Sequence, residues 1–145
     1  MKKSILIIIF ILLTVSSYAG KYSTTVNAAD EYGNTPLSTA IYNENLDMIK
    51  LLLNNKMDPN TVTDEYYGTT LFMWAISRDD NELAKLLIKK GANVNSLNYQ
   101  NLSVLGYTQN TETIKFLLNN GLDPNATDGN GNTPLMMGIL LGDYS

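Results

Sequence analysis

The sequence repeats itself, and this property limits most strongly what the chain can fold into. Four segments share a turn-like start and an apolar continuation: D-E-Y-G-N-T-P-L-S-T-A at 30–40, D-E-Y-Y-G-T-T-L-F-M-W-A at 64–75, N-Y-Q-N-L-S-V-L-G-Y-T at 98–108 and D-G-N-G-N-T-P-L-M-M-G at 128–138. The equivalent residues Gly33, Gly68, Asn101 and Gly131 lie 35, 33 and 30 residues apart. A unit of this size cannot bury an apolar face alone, so the spacing predicts stacked repeats with a common core.

A second, leucine-rich signature follows the first three segments, as I-K-L-L-L at 49–53, A-K-L-L-I at 84–88 and I-K-F-L-L at 114–118. Its apolar spacing predicts a second helix in each repeat. The first helices begin after residues that can cap a helix, which are Thr35, Thr70, Ser103 and Thr133. Gly91 and Gly121 follow the second helices, where a left-handed backbone favours glycine.

Together, the period, the T-P-L-x-x-A opening and the leucine-rich second helix resemble the ankyrin repeat. The resemblance runs from about Val26 to the C-terminus. It implies an all-α repeat solenoid of helix-turn-helix pairs joined by short β-turn fingers. Residues 21–145 would then form one repeat domain of about three repeats and a truncated C-terminal half-repeat.

The chain departs from that family pattern in three ways. The family usually has His after T-P-L, where this chain has Ser38, Met73, Gly106 and Met136. Stacking should therefore depend more on packing than it does in relatives. Two extra residues around Tyr66 and Tyr67 should lengthen one finger. The third repeat lacks three residues between Thr108 and Ile114, so its first helix, over 103–110, should be short or irregular.

The C-terminal end of the sequence stops where a second helix should begin. Leu135, Ile139 and Leu140 would then have no neighbour to cover them. Two interpretations stay open: a truncated product whose last half-repeat frays, or an apolar edge that docks onto a partner or onto another copy of the chain.

The N-terminal segment has the order of a secretory signal peptide. Lys2 and Lys3 precede an almost wholly apolar run at 5–15, and small or polar residues follow up to Ala19 and Gly20. We therefore expect residues 1–20 to be removed near Ala19-Gly20, which would place the protein in the periplasm or outside the cell. The alternatives are an uncleaved N-terminal membrane anchor and a buried helix.

Composition argues against catalysis and against nucleic acid as a partner. The chain has no His and no Cys, which removes the commonest metal ligands and catalytic bases, so we expect no cofactor and no small-molecule substrate. The formal net charge is -4, and no segment gathers Lys or Arg. Asp128, Asn130 and Asn132 alternate as in a calcium loop, but Thr133 stands where that loop needs glycine, so an inter-repeat turn explains them better. A hydrolase remains an alternative that would need a perturbed carboxylate pair in a deep pocket.

Binding residues follow from the resemblance, because ankyrin proteins use their finger tips and first helices as a concave binding face. Carried onto this chain, the partner-binding candidates are Glu31, Tyr32, Asn34, Tyr42, Glu65, Tyr66, Tyr67, Thr69, Ser77, Arg78, Tyr99, Gln100 and Leu102.

Tyrosine recurs in three of the four fingers, and such side chains favour protein binding. The tyrosines could equally pack on neighbouring fingers, whereas Trp74 and Tyr107 are expected to lie mainly in the core. The expected function is protein–protein binding, and the expected partner carries some positive charge on its surface. The alternative is an inhibitor or immunity-type protein that occludes an enzyme.

Overall fold

The computed structural model describes residues 29–140, which belong to two compact units, 29–56 and 57–140. The helices within this range are α1 (Pro36–Tyr42), α2 (Leu46–Asn54), α3 (Leu71–Ser77), α4 (Asn81–Lys89), a 3-10 turn (Val104–Tyr107), α5 (Thr111–Asn119) and α6 (Pro134–Leu140). The described residues contain no β-strand, and a single antiparallel bridge pairs Val62 with Thr70. The expected all-α repeat fold is confirmed.

Unit 29–56 is one helix pair, formed by α1 and α2. Thr35 and Ser38 cap α1 reciprocally: the Ser38 N–H donates to the Thr35 hydroxyl at 3.0 Å, and the Thr35 N–H donates to the Ser38 hydroxyl at 2.9 Å. Ser38 occupies the family's usual His position, so this serine contributes a cap there. Leu37 on α1 and Ile49 on α2 are buried, as the apolar spacing predicts.

Unit 57–140 contains α3 to α6 and the larger core. Its largest fully buried side chains are Leu71, Phe72, Met73, Ile76, Leu83, Leu87, Val104, Leu105, Thr113 and Leu117. They come from the first and second helices of successive repeats, since each helix has one apolar stripe and needs a neighbour to cover it.

The third repeat has the irregular first helix that the missing residues predict. Only a four-residue 3-10 turn, Val104–Tyr107, stands where α3 has two full turns in the preceding repeat. The backbone at Thr108 is already extended. Thr113, buried at the start of α5, donates its hydroxyl to the Asp79 carboxylate at 3.0 Å. Asp79 thus joins the second repeat to the third.

Asparagine side chains connect the turns that follow the second helices. The Asn93 N–H donates to the Asn60 side-chain oxygen at 2.8 Å, and the Asp123 N–H donates to the Asn95 oxygen at 2.7 Å. The Asn95 amide also donates to the Gly121 carbonyl at 2.8 Å. These bonds satisfy backbone groups of the turns, which lie beyond the helices, so they position one repeat on the next.

Parts of the predicted organisation lie outside the described residues: the signal peptide at 1–20, and residues 21–28 and 141–145 of the repeat domain. Among residues 29–140, no helix is both long enough and apolar enough to cross a bilayer.

Adjacent leucines of α5 test the assignment of the core. Leu117 is fully buried, whereas Leu118 is 38 % exposed. We expect Leu117→Ala to lower the free energy of unfolding by about 2–5 kcal/mol, because it leaves a cavity. Leu118→Ala should cost less than about 1 kcal/mol. Chemical denaturation followed by circular dichroism measures both changes, and equal losses would contradict this placement of α5.

Candidate binding surface at the repeat fingers

Each repeat opens with a turn that we call a finger: finger 1 is 30–34, finger 2 is 64–69, finger 3 is 98–102 and finger 4 is 128–132. The first residue of each finger accepts backbone N–H groups from the residues that follow. In finger 1, Asp30 accepts from Tyr32 at 2.9 Å and from Asn34 at 2.8 Å. In finger 4, Asp128 accepts from Asn130 and Asn132, both at 2.8 Å. The calcium-like spacing therefore serves the turn.

Finger 2 uses the same device over a longer turn. Asp64 accepts the N–H groups of Tyr67 at 2.6 Å and Thr69 at 3.2 Å. Burial raises the pKa of Asp64, but hydrogen bonds from Tyr67, Thr69 and Tyr66 outweigh it and leave the pKa below its usual value. The carboxyl is therefore ionised at neutral pH.

Finger 2 is longer than the other fingers, as the sequence predicts. The Gly68 N–H bonds back to the fourth residue before it, Asp64, whereas Gly33 in finger 1 bonds to the third residue before it. The backbone bond that closes the turn is also longer in sequence: the Thr63 N–H donates to the Thr69 carbonyl at 2.7 Å across six positions, whereas Asp30 and Asn34 in finger 1 are four positions apart. The added length therefore lies around Tyr66 and Tyr67.

Fingers 2 and 3 are joined through a tyrosine. The Tyr99 N–H donates to the Tyr67 carbonyl at 2.9 Å. The Tyr99 ring lies so close to Gly68 that a Cβ atom there would overlap it, and Gly68 has a φ of +68°. Glycine is therefore required at this position for two reasons: the backbone is left-handed, and the Tyr99 ring leaves no room for a Cβ atom.

The Tyr107 hydroxyl makes a second connection between these fingers. It lies 3.2 Å from the Thr69 hydroxyl and accepts a hydrogen bond from the Asn98 amide at 2.9 Å. Asn98 is buried and uses its oxygen for the N–H groups of Gln100 and Leu102. An Asp in its place could not donate to Tyr107. Tyr107 is half-buried, so it serves as core and as a link between fingers, which sequence reasoning missed.

Fingers 3 and 4 are joined beside Leu102. The Ser103 hydroxyl donates to the Thr127 carbonyl at 2.5 Å, and the Leu102 side chain lies against Gly129. Leu102 is half-buried by this contact. Within unit 57–140, the three fingers therefore hold one another in place through backbone and side-chain bonds.

Three exposed rings, Tyr66, Tyr67 and Tyr99, lie on fingers 2 and 3, and we call them the tyrosine cluster. Tyr66 and Tyr67 meet edge to face with ring centres 4.6 Å apart. Their exposed fractions are 82 % and 48 %, and that of Tyr99 is 67 %. The backbone bond between Tyr67 and Tyr99 and the Tyr99 ring on Gly68 stiffen the two fingers. All three tyrosines still present ring surface to solvent.

The other candidates from the sequence fall into two groups. In unit 29–56, Glu31, Tyr32, Asn34 and Tyr42 are all exposed, although the Asn34 amide also bonds to Asp30. In unit 57–140, Glu65, Gln100, Ser77 and Arg78 are exposed, and Thr69 is half-buried. The Arg78 guanidinium lies 5.2 Å from the centre of the half-buried Trp74 ring.

Helix α6 presents an apolar surface outside the fingers. Leu135, Ile139 and Leu140 are 75 %, 53 % and 70 % exposed. The equivalents of Leu135 and Ile139 in α3 are Phe72 and Ile76, which are buried. The apolar edge expected from the sequence is therefore present on the part of α6 that the structure describes.

Known proteins share this repeat pattern. The family profile "Ankyrin repeats (3 copies)" matches residues 8–98, and the profile "Ankyrin repeats (many copies)" matches residues 102–145. An ankyrin repeat protein of fowlpox virus is 32 % identical over 111 residues, which are 76 % of this chain and 15 % of that protein. One of Acanthamoeba polyphaga mimivirus is 33 % identical over 138 residues, covering 76 % of this chain and 24 % of the relative.

A serine/threonine-protein kinase of Dictyostelium discoideum is also similar. It is 34 % identical over 122 residues, which are 77 % of this chain and 14 % of the kinase. The chain thus spans a quarter or less of the length of each of these three relatives.

Gly68→Ala tests the contact between fingers 2 and 3. It should displace the Tyr99 ring and add the strain of a left-handed alanine, for a loss of roughly 2–4 kcal/mol in the free energy of unfolding. Gly131→Ala is the matched control, because Gly131 has a φ of +80° and open space around it. The control should cost about 1 kcal/mol. Denaturation gives both losses and the Tyr99 aromatic NMR signals report displacement; unchanged Tyr99 signals in Gly68→Ala would count against the contact.

Proposed function

Because the chain belongs to the ankyrin repeat family, we propose that it is a protein-interaction module that binds a protein partner through the tyrosine cluster. Ankyrin repeats generally serve protein–protein interaction. The observation that carries the proposal is a set of exposed tyrosines on fingers that are themselves cross-linked by hydrogen bonds. Rigid rings lose little entropy on binding and combine apolar area with a hydroxyl, as hot-spot residues do.

Other candidate side chains of unit 57–140 would complete the binding site. Glu65 and Gln100 lie on the same two fingers as the cluster, and Ser77 and Arg78 lie at the end of α3. These side chains would set which partner is accepted, while the tyrosine rings contribute most of the affinity. Unit 29–56 carries candidates of its own, which are Glu31, Tyr32 and Asn34 in finger 1 and Tyr42 at the end of α1.

The module is proposed to have no catalytic activity of its own. Several of its described carboxylates shape fingers, as Asp64 does, or cap helices, as Asp80 does.

Export forms a separate part of the proposal and rests on the sequence at 1–20 alone. The order of two lysines, an apolar run and small residues supports cleavage near Ala19-Gly20. In a host that secretes the protein, we expect the recovered chain to begin at or near Gly20, as intact-mass spectrometry would show. Recovery only from the cytoplasm, with Met1 or Lys2 still at the N-terminus, would contradict export.

Affinity capture from extracytoplasmic extract tests the binding site. We expect the natural chain to retain a partner that the double variant Tyr66→Ala/Tyr99→Ala loses, because truncating two hot-spot tyrosines weakens binding by roughly a hundredfold or more. Leu118→Ala removes an exposed apolar side chain elsewhere and is the matched control. Circular dichroism must show that all three proteins are folded.

Equal retention by all three proteins would refute the tyrosine cluster as the site. Helix α6 would then be the next surface to test, either for a partner or for self-association. Its exposed residues Leu135 and Leu140 would be replaced in the same assay.

A further inference from the structure

We propose that the tyrosine cluster accepts an arginine side chain of the protein partner, with the guanidinium against a tyrosine ring and paired with the Glu65 carboxylate. The inference rests on the proposed function, because it names the chemistry that the same site recognises. Three separate observations support it: the distribution of charge in unit 57–140, the Glu65 carboxylate that no described residue engages, and the exposed surfaces of the tyrosine rings.

Positive charge is absent from the fingers of unit 57–140. The segments 57–77, 91–114 and 116–140 contain no Lys or Arg. The cations of this unit lie at the end of α3, on α4, just after α4 and on α5: they are Arg78, Lys85, Lys89, Lys90 and Lys115. Fingers 2 and 4 carry Asp64, Glu65 and Asp128. A partner that approaches the fingers therefore meets negative charge, which favours a positive surface.

Glu65 differs from the other carboxylates of the unit. It is exposed, and no hydrogen bond or ion pair engages it among the residues that the structure describes. Asp64, beside it, is occupied with backbone N–H groups. Glu82 and Glu112 on the second helices pair with Lys85 at 2.8 Å and Lys115 at 3.4 Å. Glu65 therefore keeps its acceptor capacity for a donor from outside the chain.

The rings next to Glu65 suit a planar cation. Tyr66 follows Glu65 directly, is 82 % exposed and meets Tyr67 through an edge-to-face contact. An aromatic face attracts a cation, and a guanidinium can stack on the ring while its N–H groups bond to a carboxylate. Lysine offers a strongly hydrated point charge, so it would satisfy the carboxylate but stack less well. The chain already contains such a pairing, because the Arg78 guanidinium lies over Trp74 at 5.2 Å.

The test is an NMR titration of the full ¹⁵N-labelled chain with capped synthetic peptides. One probe is acetyl-Gly-Arg-Gly-Arg-Gly-amide, and its matched control replaces arginine by citrulline, which keeps the shape and removes the charge. The arginine peptide should shift the amide signals of fingers 2 and 3, above all those of 65–68 and Tyr99. The citrulline peptide should bind about tenfold more weakly than the arginine peptide, and the affinity of a lysine peptide should lie between those of the two.

Two variants test whether the Glu65 carboxylate is the charge that binds the arginine peptide. Glu65→Gln should weaken binding of the arginine peptide about tenfold. Glu112→Gln removes the same charge from α5, outside the fingers, so binding at fingers 2 and 3 should not change. Equal affinity for the arginine and citrulline peptides, equal effects of the two variants, shifts confined to other residues, or no binding at all would each overturn the proposal.

The capture experiment separates this inference from the function on which it rests. If Tyr66→Ala/Tyr99→Ala loses the partner and Glu65→Gln retains it fully, the binding site stands and the arginine preference is wrong. If the arginine peptide binds the cluster but the tyrosine variant still retains the partner, the proposed function fails although the cluster recognises arginine.

Discussion

Side-chain oxygens that accept backbone N–H groups hold the fingers of this protein in shape. Asp30, Asp64, Asn98 and Asp128 each close the turn that they begin. A turn leaves backbone donors without partners, and a short side chain two to five residues earlier can satisfy them without help from a sheet. The fingers need no β-strands for this reason, and their tips are free to carry side chains that serve other purposes.

Connections between repeats add the rigidity that one turn cannot have. Tyr99 bonds to Tyr67 and lies on Gly68, while the Tyr107 hydroxyl lies between Thr69 and Asn98. The Asn60 and Asn95 side chains likewise connect the turns that follow the second helices. Because these bonds join equivalent parts of neighbouring repeats, they align the fingers of unit 57–140. A surface aligned in advance loses less entropy when a partner binds.

Tyr99 shows how one side chain can combine packing with exposure. Its ring lies against Gly68, yet the residue is still 67 % exposed. A ring has two faces, so one can cover a backbone while the other meets solvent. Glu65 shows the complementary case, a charged residue at a tip whose carboxylate forms no bond to the described part of the chain.

Much of the fold could be predicted from the sequence, because local chemistry decides it. Thr35 and Thr70 cap helices, Gly91 and Gly121 have positive φ, and three missing residues reduce a helix to the turn at Val104–Tyr107. Each outcome depends on residues within about one helical turn, which a single sequence displays in full.

Contacts between repeats were decided only by tertiary structure. The Tyr99 ring on Gly68, the Thr69–Tyr107 bond and the Thr113–Asp79 bond join residues that are 31, 38 and 34 positions apart. Their existence depends on the distance and rotation between neighbouring repeats, which small adjustments in packing set and no local pattern records. The sequence by itself determined that tyrosines would stand on the fingers. Only the packing of finger 3 on finger 2 decided which of them would form a cluster, because that packing depends on the missing side chain of Gly68 and on the ring that lies against it.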